Sequence, residues 1–262
     1  MQKTLKYIRG KSEAVAKSWV DFWEHNMWLI SEGPRLGAQL VDTVSKYDQY
    51  KDIEEGTGVP TVVIPGFSTT NSSTYFMRKV LNDRDHRTIK WCQPRNNGFS
   101  QEVLERSIIQ VKALADGSGH KVNVTGHSLG GCIARMVANE IPDYVNIVAT
   151  LGSPINSIEL VHDNSISKYD TVVGQVGAAV LQYEEFYELF NKNPPVPTTS
   201  LYSKSDGVVH WTNSVIPESD LSENIEVESG HFGMGFDLFT AEVIANRLAQ
   251  MHHSWEKWEK KQ

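Results

Sequence analysis

The chain has 262 residues, 40% of them hydrophobic and 22% charged, which is enough for one large α/β domain to bury its own core without disulfides or metals. A formal net charge of −7 with dispersed Lys and Arg residues argues against a nucleic-acid partner, since phosphate would be repelled. The two cysteines, Cys92 and Cys132, make neither a metal-type spacing nor a disulfide framework and suit a reducing compartment.

The basic first ten residues are followed by Glu13, Lys17, Asp21 and Glu24, which interrupt any signal-peptide core. The longest uncharged apolar-leaning stretch, Thr171 to Tyr183, is too short to span a bilayer, so the expectation is a soluble cytoplasmic protein. From about residue 12 to 30, Val15, Trp19, Phe22, Trp23, Met27 and Ile30 recur at spacings of three and four and predict an amphipathic helix. We read its stripe as packing on the sheet. The alternative is peripheral membrane contact through this helix or through the cap described below, and Asp21 and Glu24 count against it at the helix. A second helix follows over Pro34 to Lys46, then a polar loop ending at Gly58.

Val59 to Ile64 is a β-branched run closed by Pro65-Gly66, as expected of a buried parallel strand. A helix is predicted from Ser73 to Asn82, a strand over Thr88 to Cys92, and a helix capped by Ser100 and running through Leu114. The alternating Val122-Asn-Val-Thr leads into Gly126-His-Ser-Leu-Gly-Gly131 and another amphipathic helix; Val145 to Leu151 is the next strand. Strand and helix in alternation predict a mostly parallel sheet with helices on both faces. Residues 155 to 197 break the rhythm and read as a helical cap over the carboxyl ends of the strands. Strands at Thr198 to Ser203 and Ile225 to Glu228 and a closing helix from Leu238 to Met251 bring the total to about six strands. The expected organisation is a helical extension (1–57), a core (58–154 and 198–253), a cap (155–197) and a charged, solvated tail (254–262).

The chemistry starts at Ser128, which stands in G-x-S-x-G between a strand and a helix. That turn exposes a strained side chain, and Gly126 and Gly130 remove Cβ atoms that would collide with neighbouring backbone. A serine hydroxyl needs an imidazole to take its proton and a carboxylate to orient that imidazole. On such sheets the chain order is Ser, acid, His, so both partners lie after residue 128. Asp206, just beyond a strand end, is the candidate acid and Asp237 the reserve; His231, in a glycine-rich loop before the last helix, is the candidate base. His210 is read as loop packing beside Trp211, and His127 as packing or hydrogen bonding, turned away from the serine. The oxyanion donors expected are the backbone N–H groups of Leu129, which starts a helix, and of Phe67, beyond the first strand.

Taken in order, Pro65-Gly-Phe, Arg95-Asn-Asn-Gly98, Gly126-His-Ser-Leu-Gly-Gly131, Leu151-Gly-Ser-Pro154, Tyr202-Ser-Lys-Ser-Asp-Gly-Val-Val209 and Gly230-His-Phe-Gly-Met-Gly235 resemble the α/β-hydrolases of the bacterial lipase and esterase type over roughly residues 58 to 251. The resemblance implies a reduced α/β-hydrolase fold with catalytic Ser128, Asp206 and His231 and an oxyanion hole of Phe67 and Leu129. Many relatives carry His where Pro65 precedes the glycine here. The activity implied is cleavage of a small-molecule or lipid acyl ester through an acyl-serine. A thioesterase or acyltransferase with the same triad, or a non-catalytic interaction protein on the same fold, are the alternatives. No motif for a metal, nucleotide or other cofactor is present in the sequence, and none is expected.

Overall fold

The computed structural model describes residues 31–43, 45–46, 53–155, 189 and 192–259. The expected amphipathic helix over residues 12–30 and most of the expected cap lie outside these residues. After a helix over residues 31–43 (α1), the chain alternates β1 (Pro60–Ile64), α2 (Tyr75–Asn82), β2 (Arg87–Lys90), α3 (Gln101–Ser118), β3 (Val122–His127), α4 (Leu129–Glu140) and β4 (Val145–Leu151). After residue 192 come β5 (Thr198–Tyr202), β6 (Ser222–Glu226) and α5 (Leu238–Leu248).

All six strands are parallel and run in the order β2-β1-β3-β4-β5-β6. The chain first winds outward from β1 to β2, then returns to lay β3 on the other side of β1. Between β1 and β3 the winding reverses, and the crevice beyond their carboxyl ends is where such sheets place ligands. Among the described residues, α3 and α4 cover one face of the sheet and α2 and α5 the other. Val62, Ile64, Val124 and Val148 pack with Val111 of α3 and Ile133 and Val137 of α4, while Ile147, Ala149, Leu151 and Leu201 pack with Met77 and Leu81 of α2 and Ile244 of α5. Along β4 the residues 147, 149 and 151 share one face, as the two-residue period of a strand requires.

Two boundaries differ from the sequence expectation, and in both cases polar side chains are the reason. The last strand begins at Ser222, not Ile225, because its pairing with β5 runs from Thr198↔Ser222 to Tyr202↔Glu226. Glu223, a poor strand former by composition, is buried there with Oε1 accepting from Thr199 Oγ1 (2.7 Å) and Arg247 NH1 (3.1 Å). The closing helix stops at Leu248, short of Met251, because buried asparagines of the sheet capture its last carbonyls. Asn123 Nδ2 donates to Leu248 O (2.9 Å) and Asn146 Nδ2 to Gln250 O (2.9 Å), while Asn146 Oδ1 accepts from His252 N–H (2.9 Å).

The charged tail, expected to be solvated, folds back instead as far as it is described. Trp258 N–H donates to Glu223 Oε2 (2.6 Å), the Arg247 guanidinium lies 5.5 Å from the Trp258 ring centre, and Trp255 and Trp258 pack on the α5 side of the core. Among the described residues no helix is long and apolar enough to cross a membrane.

Candidate active site

β3 delivers Ser128 directly into the crevice. The serine has φ +53° and ψ −127°, a backbone conformation that L-residues adopt only under constraint, and its N–H is tied to Leu151 O of β4 (2.8 Å). The turn is tight because α4 starts against the ends of two strands. A Cβ on Gly126 would meet the backbone of Gly130, and one on Gly130 would meet the carbonyl oxygens of Ile64 and Pro65. The sequence expectation for both glycines is met.

Asp206 follows β5 and His231 follows β6, and the fold brings them together from 25 residues apart. His231 Nδ1–H donates to Asp206 Oδ2 at 2.7 Å, with the residues 2% and 3% exposed. The other carboxylate oxygen accepts from the N–H groups of Val208 (2.8 Å) and Val209 (2.7 Å), which fixes the plane of the acid. An ionised carboxylate only accepts, so this bond requires a proton on the imidazole Nδ1. Gly152, at φ +53°, passes beneath the pair; a Cβ there would stand 2.9 Å from Asp206 Oδ2 and 3.2 Å from His231 Nδ1.

His127 packs and hydrogen-bonds, as expected, and its partner is His231: its ring lies 4.8 Å from that of His231, centre to centre, and Nε2–H donates to the His231 carbonyl at 2.8 Å. Burial, with the neighbouring His231 adding to it, pushes the His127 imidazole from its ordinary 6.5 down to about 4. At neutral pH it is therefore an uncharged donor that holds the backbone of His231.

Ser128, His127 and His231 line one cavity of about 280 Å³, whose remaining wall is largely apolar: Leu36, Val63, Phe67, Met77, Val208 and Phe236. The Phe67 and Leu129 amides make no hydrogen bond to a described residue. The loop bearing Phe67 is aimed by residues whose role the sequence did not disclose. Asn96, fully buried, donates from Nδ2 to Pro65 O (2.8 Å) and accepts at its backbone oxygen from Ser68 N–H (2.7 Å), while its own N–H goes to Thr69 O (2.9 Å). Arg95 NH1 adds a bond to Ser68 O (2.8 Å). Arg95-Asn-Asn-Gly98 is thus a cradle for the turn after β1, and the signal for it was only its presence in the motif series.

The other candidates have local roles. Asp237 caps α5, with Oδ2 accepting from Thr240 N–H (2.8 Å), and His210 Nδ1 pairs with Thr212 Oγ1 (2.8 Å). Burial pushes the Cys132 thiol up to about 12, so it is no competing nucleophile. Among the described residues no group of three or more His, Cys, Asp or Glu side chains could hold a metal ion.

The sheet order, the winding reversal beside Ser128 and the loops after β5 and β6 define an α/β-hydrolase fold. A model of the PGAP1-like alpha/beta domain matches residues 99–208, which include Ser128 and Asp206 and stop short of His231. Among solved structures the chain is similar to the mature form of a Bacillus licheniformis lipase (TM-score 0.57, 15% identity, over 76% of this chain and 95% of that one). It is similar also to Aspergillus fumigatus lipase B (0.55, 14%, 76% and 55%) and to a Paleococcus ferrophilus monoacylglycerol lipase (0.50, 12%, 75% and 96%). The match spans about half the length of the Aspergillus protein. At these identities the likeness is one of fold. No curated protein sequence matches the chain.

Proposed function

We propose that this protein is a serine hydrolase that cleaves carboxylic acyl esters through an acyl-serine intermediate. The observation that carries the reading is the buried 2.7 Å bond from His231 Nδ1–H to Asp206, on a histidine that shares an apolar cavity with a strained serine. Ser128 Oγ attacks the ester carbonyl carbon as His231 Nε2 takes its proton. Asp206 keeps the imidazole in the Nδ1–H tautomer and stabilises the imidazolium. The oxyanion is held by the N–H groups of Phe67 and Leu129, the latter at the positive end of α4. Collapse of the tetrahedral intermediate expels the alcohol, which receives the proton from His231, and water then repeats the sequence to release the acid. The apolar walls favour an acyl chain over a charged or sugar-like group.

Steady-state kinetics on p-nitrophenyl esters of increasing acyl length, run beside acyl-thioesters, test the reading. Ser128→Ala and His231→Ala are expected to lose on the order of 10³-fold or more in kcat, and Asp206→Asn somewhat less. Near-normal turnover by His231→Ala would assign the base elsewhere, and faster turnover of thioesters at matched acyl length would change the leaving group.

A further inference from the structure

Glu32 is a carboxylate only 3% exposed, in an acidic protein. Burying a charge is costly unless hydrogen bonds replace the lost water. Glu32 finds three of them, from backbone amides of the two loops that carry Asp206 and His231, and the Arg35 guanidinium stands 4.0 Å from its Oε1 as a partner charge. Oε1 accepts from Gly207 N–H (2.9 Å) and from His231 N–H (2.8 Å), and Oε2 accepts from Phe232 N–H (3.2 Å). One side chain thus bridges the residue after the acid to the base itself.

The rest of α1 continues the same contact. Arg35 NH1 donates to Ser205 O (2.6 Å), Gln39 Oε1 accepts from Ser229 Oγ (2.9 Å), and Thr43 Oγ1 donates to Phe236 O (2.8 Å). Residues 32, 35, 39 and 43 are spaced by three, four and four, so they lie on one helical face. The glycines flanking His231 are the imprint of that face. A Cβ on Gly230 would stand 2.8 Å from Glu32 Oε2, and one on Gly233 would collide with Gln39 Oε1.

We infer that Glu32 is a positioning residue: it holds the Asp206 and His231 loops in the register that lets the acid orient the base, which makes α1 a working part of the site. The inference rests on the reading of Asp206 and His231 as acid and base. A neutral amide at position 32 keeps the shape and can leave its carbonyl oxygen on the Gly207 and His231 N–H groups, but it loses the charge and sets an N–H₂ group against the Phe232 N–H donor, so the clamp is weakened without a cavity being made.

The test compares Glu32→Gln and Glu32→Asp with wild type by kcat and KM on p-nitrophenyl butyrate, and by the low-field ¹H NMR resonance of the His231 Nδ1–H in the bond to Asp206. Asp237→Ala, which removes the cap of α5, controls for lost stability alone. Glu32→Gln is expected to lower kcat by on the order of 10²-fold with KM little changed, and to broaden or abolish the low-field resonance. Glu32→Asp, which keeps the charge one methylene further back, should fall between it and wild type. The control should keep both the resonance and kcat. A folded Glu32→Gln, or a folded Glu32→Asp should the first not fold, with wild-type kcat and an unshifted resonance would overturn the inference. A wild type without esterase activity whose resonance nonetheless disappears in Glu32→Gln would sink the hydrolase reading and leave the clamp standing.

Discussion

His127 carries a titration that follows from its burial. Its imidazole is held neutral down to about pH 4, against an ordinary value of 6.5 in the unfolded chain. The unfolded state therefore binds the extra proton first as pH falls, so this group's contribution is fully present above about 6.5 and is lost as pH drops toward 4, by at most about 3 kcal/mol. His86, also held low by burial, slopes the same way, so the comparison must be with a variant. His127→Gln, which keeps an N–H near the position of Nε2, should show a shallower loss of urea-unfolding stability between pH 6.5 and 4.5; parallel curves would contradict the account. At this scale the sequence was legible in where residues fall in the fold: Ser128 in a tight strand-to-helix turn by its glycines, Asp206 and His231 just past strand ends. Glu32, Asn96 and the partner of His127 were not legible, because their partners are backbone groups and backbone partners leave no residue signature.

Among the elements, the turn after β1 and the start of α4 set the geometry of the proposed oxyanion hole. Asn96→Ala leaves the Pro65 carbonyl without its partner, which should cost about 1–3 kcal/mol in stability and lower kcat more than it raises KM. An unchanged kcat in the folded variant would remove the turn from the mechanism. Gly130→Ala should be worse, since the new Cβ meets the rigid carbonyls of Ile64 and Pro65; we expect loss of more than about 2 kcal/mol by thermal unfolding together with loss of activity. Elements with a strong apolar period, β1, β4 and α3, were read from the sequence to within a few residues. β6 and the end of α5 were misread because Glu223, Asn123 and Asn146 substitute polar contacts for the apolar pattern that the reading relies on.

For the whole molecule, the sheet is closed by segments that composition alone marks as peripheral. Residues 252–259 are charged in sequence, yet they satisfy the buried Glu223 and cover Arg247 with Trp258. Trp258→Ala should therefore lower stability by about 1–2 kcal/mol while leaving turnover near wild type. A Tm equal to wild type would return the tail to solvent. The α1 helix is the second such segment: a helix is expected over Pro34 to Lys46, but an amphipathic reading could not show that its polar face is spent on the loops that bear Asp206 and His231. The α/β class itself was legible because strand and helix alternate along most of the chain, which few other architectures permit. The central claim is that Ser128 is a nucleophile activated by His231. Labelling with a fluorophosphonate probe, read as one covalent adduct by intact-protein mass spectrometry, tests it directly. The account predicts stoichiometric labelling of wild type at neutral pH and none of Ser128→Ala; a folded wild type that stays unlabelled, or a Ser128→Ala protein that labels as fast, would contradict it.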